Sequence, residues 1–310
     1  MSKKTPKKTS PEPALPPAAA PLPRVTPPPP ELPEERATYV PQGQVLPLWP
    51  GKPPGETAAV KKEYTGIVRG YPHGEHLNIM NVWTPQIEVF PASPLNNTGA
   101  AVIVCPGGCY KFLSYTMEGV ELARWLNDIG VTAVILKYRT PARPKAKRGE
   151  MELKDAQRAI SLVRANAAQW GVDPKRVGIS GFSAGAHLSA LAGTALERTY
   201  DPVDEADKKA CRPDFTLLFY PAYIFEEDDE VRGLVSAKTA PAFIIQAADD
   251  PYPSESSLAY YNACRAAGVS AELHVYASGG HGYGLRKSAY PSRTWTLLAT
   301  EWLRENGWLG

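Results

Sequence analysis

The sequence predicts an α/β fold, a mostly parallel central sheet with helices on both faces, and three observations lead there. Short β-branched, apolar runs alternate with longer amphipathic ones from residue 100 onward, the β-α-β-α order from which parallel sheets are built. Residues 100–105 and 131–138 are near-continuous apolar runs, as strands covered on both faces are. In RVGISGFSAGAHLSALAGTAL, residues 176–196, a β-branched run passes through a glycine-flanked serine into a small-residue helical pattern, which reads as strand, tight turn and helix.

Taken in order, residues 1–36 carry twelve of the thirty-two prolines, four lysines and almost no large apolar side chain. Such a segment buries too little to offset its ordering entropy, so a disordered or polyproline-II tail is expected. Residues 37–62 remain proline-rich but gain Leu48 and Trp49, and read as an arm packing on a single domain that spans 37–310. Ile67, Val68 and then LNIMNVW at 77–83 alternate apolar and polar, an antiparallel start to the sheet. An amphipathic helix over 118–129, stopped by Gly130, joins the two buried strands. The basic, proline-broken segment 140–149 reads as an exposed loop, 152–170 as a long helix and 200–209 as a polar loop. Strands at 215–220, 242–247 and 272–276, with helices at 255–267 and 292–306, complete the alternation.

With 310 residues and 43% hydrophobic content, the chain is long enough for one substantial core. A formal charge of +2 gives no nucleic-acid footprint. Cys105, Cys109, Cys211 and Cys264 show neither zinc spacing nor a disulfide framework, which fits a protein that does not depend on bridges. No apolar run reaches the roughly 18 residues a membrane span needs. The basic start MSKKTPKKTS is followed at 11–33 by proline and alanine where the apolar stretch of a signal peptide belongs. A cytoplasmic chain is expected as written, with a secreted or periplasmic one as the alternative if a leader was removed.

Function is concentrated at Gly181-Phe182-Ser183-Ala184-Gly185. A serine at a strained bend between strand and helix needs neighbours with almost no side chain. The bend lifts the hydroxyl above the sheet edge and points the N-terminus of the helix, with its unpaired N–H groups, at whatever the serine attacks. An N-capping serine in an ordinary turn would explain the same five residues but predicts nothing downstream. The nucleophile elbow of an α/β-hydrolase predicts a glycine-rich oxyanion loop upstream, then an acid and a histidine in that order.

All three are present. Cys105-Pro106-Gly107-Gly108-Cys109-Tyr110 follows a buried strand, and glycines there clear side chains from backbone N–H groups that must approach a developing negative charge. A late strand runs into Asp249-Asp250-Pro251; either aspartate could orient a histidine, and the other suits the turn. His281 lies in Gly279-Gly280-His281-Gly282-Tyr283-Gly284 after the last strand. Of the other histidines, His73 and His76 precede the sheet, His274 lies within a strand pattern and His187 lies one turn past the serine, placed to pack beneath the elbow. Each of these loops follows the C-terminal end of a strand, where open α/β sheets bind their ligands.

CPGGCY, the block from DAQRAISLV to GFSAGAHLSALA, AADDPYPSESSLAYYNACRAAGV and ELHVYASGGHGYGLR together resemble the bacterial acetylxylan-esterase-like and feruloyl-esterase-like α/β-hydrolases, over about residue 48 to the C-terminus. The resemblance implies Ser183 as nucleophile, His281 as general base and Asp250 as the orienting acid. It also implies an oxyanion hole from the N–H groups of Ala184 and of Gly108 or Cys109. Where relatives commonly carry a third glycine this chain has Cys109; its N–H serves equally well if the position does not require a positive φ.

The expected activity is a serine carboxylesterase acting on short acyl, acetyl, esters of carbohydrate such as acetylated xylan. The alternatives are a feruloyl or aryl esterase, or a formamidase-like amidase, on the same triad. No metal or organic cofactor is required by this chemistry. The expected partner is a small-molecule or polysaccharide ester, not nucleic acid. The insert 221–240 has no long apolar helix to act as a lid, so an open site is expected. The acidic run 226–230 and Tyr110, Tyr115, Tyr223 and Tyr283 are candidates to line it.

Overall fold

In the computed structural model, which describes residues 35–56, 62–69, 74–224, 231–252, 254–286 and 290–310, two sheets organise the chain. The strands are β1 (Glu35–Ala37), β2 (Gln44–Pro47), β3 (Tyr64–Val68), β4 (His76–Met80), β5 (Gln86–Phe90), β6 (Ala101–Cys105), β7 (Phe112–Leu113), β8 (Thr132–Lys137), β9 (Val177–Phe182), β10 (Thr216–Phe219), β11 (Ala242–Ala247) and β12 (Ala271–Tyr276). The helices are α1 (Glu121–Asp128), α2 (Glu150–Ala165), α3 (Ala184–Thr194), α4 (Glu255–Ala266) and α5 (Trp295–Glu305).

The large sheet has the order β12-β11-β10-β9-β6-β8-β5-β2. From β12 to β8 all neighbours are parallel, and β5 and β2 close the far edge antiparallel. Every residue of β6, β9, β10 and β11 is buried, which is why these strands read as unbroken apolar runs. Their C-terminal ends lie side by side and deliver the loops of the site described below.

The antiparallel start expected near residue 67 is instead a separate sheet of order β1-β3-β4-β7. β5, which the alternation did not reveal, carries Glu88 inward at 1% exposure. Its carboxylate accepts hydrogen bonds from the Tyr39 and Tyr115 hydroxyls and from the N–H groups of Gln42 and Gly43. A charge in mid-strand hides the pattern from sequence, and the bonds that satisfy it come from the N-terminal arm and from a tyrosine at the start of the next helical turn.

Strand β1, Glu35–Ala37, takes in Glu35 and Arg36, which the sequence reading placed in the tail; residues 1–34 lie outside those described. In the segment read as an arm, two side chains reach the core. Leu48 is fully buried, and the Trp49 indole N–H donates to Asp155 Oδ1 at 2.8 Å. Segment 140–149 is a largely exposed loop, as expected, but it is anchored by buried residues. Thr140 is fully buried and Arg143 is 6% exposed, its guanidinium bound to Glu56 and stacked 3.9 Å over Trp83. Arg143 thus serves an internal ion pair, while Lys145, Lys147 and Arg148 are exposed. The segment 200–209 is a largely exposed polar loop, as expected, and contains a 3₁₀ turn, Glu205–Lys208, with Asp207 buried against Arg158 and Arg198.

Candidate active site

Ser183 follows β9 at φ +52° and ψ −118°, outside the ordinary regions, and the next residue opens α3. The flanking glycines are required by close approach. A Cβ on Gly181 would lie 2.2 Å from the backbone of Gly185, and one on Gly185 would lie 2.0 Å from the carbonyl oxygen of Cys105. β9, the turn and β6 are therefore pressed together more tightly than any side chain allows, and the strain at Ser183 is held by that packing. The Ser183 N–H donates to the Phe219 carbonyl at 3.0 Å, fixing the turn to β10.

His281 Nε2 lies 2.8 Å from Ser183 Oγ, and His281 Nδ1 lies 2.8 Å from Asp250 Oδ2. Asp250 also accepts from the Gln246 amide at 2.9 Å and from the Tyr252 N–H at 2.8 Å. Burial pushes the Asp250 carboxyl above its usual range, a rise that the hydrogen bond and charge of His281 only partly offset. Asp249 has a different position: its Oδ1 accepts from the Gly280 N–H at 2.8 Å, tying the acid loop to the histidine loop. Ser183, His281 and Asp250 are thus one chain of hydrogen bonds across three loops.

The glycine loop faces the serine. Gly108 has φ +132°, and a Cβ there would lie 2.2 Å from the Phe112 carbonyl oxygen. Cys109 and Tyr110 follow at φ +54° and +56°. The position of Cys109 does require a left-handed backbone, so the condition under which its N–H would be cost-free does not hold; a non-glycine residue is strained there by about 1 kcal/mol. Ala184 supplies the other expected donor: as the first residue of α3, its N–H has no acceptor within the helix.

Three of the four tyrosines expected to line a substrate site are buried elsewhere. Tyr110 is 2% exposed, with its hydroxyl 2.7 Å from His187 Nδ1, so both residues pack beneath the elbow, as expected for His187. Tyr283 is also 2% exposed and stands edge-on to Tyr220. Tyr115 is taken by Glu88. Tyr223 is half-buried at φ +69°, with Arg148 4.1 Å over its ring. The acidic run 226–230 lies outside the described residues. Tyr252 was not singled out by sequence. Its ring lies 4.6 Å from that of His281 and 5.8 Å from that of Tyr223, and its hydroxyl lies 3.4 Å from the Cys109 thiol. Its place two residues after Asp250 was the available signal.

Glu118, read from sequence as the start of a helix, is buried in a π-helical turn, Thr116–Val120, directly before α1. A cleft of about 590 Å³ lined by Pro54, Lys154, Arg198, Tyr200 and Val203 involves none of these residues. Among the described residues no cluster of three or more His, Cys, Asp or Glu could hold a metal ion, and no helix is long and apolar enough to cross a membrane.

The BD-FAE family model matches residues 90–216. An acetylxylan esterase of Xylanibacter ruminicola is 33% identical over 218 residues, covering 62% of this chain and 42% of that protein. Endo-1,4-beta-xylanase B of Butyrivibrio fibrisolvens is 29% identical over 203 residues, 58% of this chain and 32% of that protein. Among solved structures, an acetyl ester-xyloside bifunctional hydrolase from Caldicellulosiruptor lactoaceticus superposes with a TM-score of 0.70 at 29% identity, covering 88% of this chain and all of that one. The chain spans less than half the length of either curated relative.

Proposed function

We propose that this acetylxylan-esterase-like α/β-hydrolase is a serine carboxylesterase that removes short acyl groups, acetyl above all, from carbohydrate esters such as acetylated xylan. The observation that carries the reading is the Ser183-His281-Asp250 chain, with both links at 2.8 Å, on an elbow whose serine is held at φ +52°. In this reading the Ser183 hydroxyl donates to His281 Nε2, and Nδ1–H donates to Asp250, which fixes the tautomer.

As Ser183 Oγ attacks the ester carbonyl, its proton passes to Nε2 and Asp250 stabilises the imidazolium. The carbonyl oxygen becomes an oxyanion, met by the N–H groups of Ala184 and of Gly108 or Cys109 at the positive end of α3. Collapse of the tetrahedral intermediate breaks the bond to the alcohol oxygen, which takes the proton from Nε2. Water then gives its proton to the same nitrogen as it attacks the acyl-enzyme. Collapse of this second tetrahedral intermediate breaks the bond to Ser183 Oγ, which takes the proton back from Nε2, and the acid is released. The acetylated carbohydrate is drawn from what the relatives are named for.

The test is hydrolysis of p-nitrophenyl acetate and longer esters, followed by release of acetate from acetylated xylan and of ferulate from feruloylated xylan, by the wild type and Ser183→Ala. Acetate release that falls by several orders of magnitude in the variant supports the reading. Ferulate release without acetate release would move the assignment to a feruloyl esterase on the same residues.

A further inference from the structure

Glu118 occupies a position that the triad does not explain. Its side chain is enclosed, and each carboxylate oxygen accepts one hydrogen bond. Oε2 takes the Gly107 N–H at 2.7 Å, and Oε1 takes the Tyr220 hydroxyl at 2.8 Å. The Tyr220 hydroxyl in turn accepts from the Gly284 N–H at 3.1 Å, and its ring stands edge-on to His281 with centroids 5.0 Å apart. Gly107 begins the glycine loop, Gly284 ends the histidine loop, and Tyr220 follows β10 at φ +39°. One carboxylate therefore joins, through one backbone N–H and one hydroxyl, the two loops whose relative position sets the distance between oxyanion donors and base.

The local structure is built to present it. Residues 116–120 form a π-helical turn before α1, a geometry that inserts an extra residue and is favoured at functional sites. Gly107 has no room for a side chain, since a Cβ there would lie 2.7 Å from Glu118 Oε2 and 3.0 Å from Ser183 Cβ. Burial raises the Glu118 carboxyl above its usual range, while Tyr220, Gly107 and the charge of His281 pull it down. Among the described residues two donors hydrogen-bond to it, the arrangement that suits a carboxylate rather than a neutral acid.

We propose that Glu118 is a positioning residue for the esterase reaction: its carboxylate locks the glycine loop to the histidine loop through Gly107 and Tyr220. The inference rests on the triad reading above. A Gln at 118 keeps the shape and one acceptor but turns an amide NH₂ toward a group that itself donates. Phe at 220 removes the hydroxyl and leaves Glu118 and the Gly284 N–H without it.

The experiment compares Glu118→Gln, Tyr220→Phe and the double variant by kcat and KM on p-nitrophenyl acetate, normalised to active sites titrated with a fluorophosphonate, beside thermal midpoints. Each single variant is expected to lower kcat roughly 10- to 100-fold with KM within about 2-fold, the signature of a lost transition-state arrangement. The double variant is expected to be no slower than the slower single, because both break one bridge. Unchanged kcat per titrated site with a lowered midpoint, or losses that multiply in the double variant, would overturn the proposal. A wild type inert toward the ester but phosphonylated at Ser183 would overturn the substrate reading alone, and the three variants would then be ranked by phosphonylation rate. A wild type unreactive to both would overturn the triad and the positioning role together.

Discussion

The Cys109 thiol lies 3.4 Å from the Tyr252 hydroxyl, joining the glycine loop to the loop that carries Asp250. Cys109 makes this contact from a backbone at φ +54°, where a glycine would be unstrained. Cys109→Gly is expected to leave the thermal midpoint within about 2 °C, because relief of left-handed strain and the extra freedom of the unfolded chain are each about 1 kcal/mol and opposed. Cys109→Val, β-branched at the same φ, is expected to lower it by about 3 °C or more. Differential scanning calorimetry reads both.

The elbow glycines separate crowding from strain. Gly185→Ala would put a Cβ 2.0 Å from the Cys105 carbonyl oxygen, and a loss on the order of 3 kcal/mol or more is expected because two backbones must part. Gly268 has φ +72° but nothing within 4 Å of a Cβ, so Gly268→Ala should cost only about 1 kcal/mol. Urea unfolding of the two variants measures the difference.

Asp155 holds the arm to the core. It accepts from the Trp49 indole, the Arg139 N–H and the Arg139 guanidinium, with both charged side chains fully enclosed. Asp155→Ala strands a buried guanidinium and is expected to cost about 3–5 kcal/mol. Arg69→Ala, which removes ion pairs to Glu35 and Glu75 whose side chains are all more than half exposed, should cost under about 0.5 kcal/mol. Denaturant titration distinguishes them.

Glu152 gives the stability a pH dependence. It is 1% exposed, and among the described residues its Oε1 has no hydrogen-bond partner; burial raises its pKa from 4.5 to about 7. The folded state therefore holds a proton that the unfolded state has released, and this contribution to stability is lost as pH rises from about 4.5 to about 7. Glu152→Gln is expected to be more stable than the wild type at pH 8 by roughly 1–3 kcal/mol, with the gain absent at pH 4. Unfolding free energies at the two pH values check the sign.

The α/β-hydrolase fold and the acetylxylan-esterase-like resemblance read from the sequence are borne out by the relatives and the superposition. Local features were legible because their physics is local: Gly181 and Gly185 announce the elbow, and the fully buried β6 announces itself as an apolar run. What escaped depends on contacts between distant segments. β5 was masked by Glu88, whose partners Tyr39 and Tyr115 lie 49 and 27 residues away. Glu118 looks like any helix-start acid until Tyr220, 102 residues on, closes over it. Tyr110 and Tyr283 were candidates for a subsite because aromatic residues near a site motif do not reveal which side of the loop they occupy; both turn inward.

Mass spectrometry of the fluorophosphonate-treated protein measures most directly whether Ser183 and His281 act together. One adduct is expected, on Ser183 Oγ with loss of fluoride, formed by the wild type and lost or slowed by several orders of magnitude in His281→Ala. An adduct at another residue, or labelling of Ser183 that proceeds equally well without His281, would contradict it.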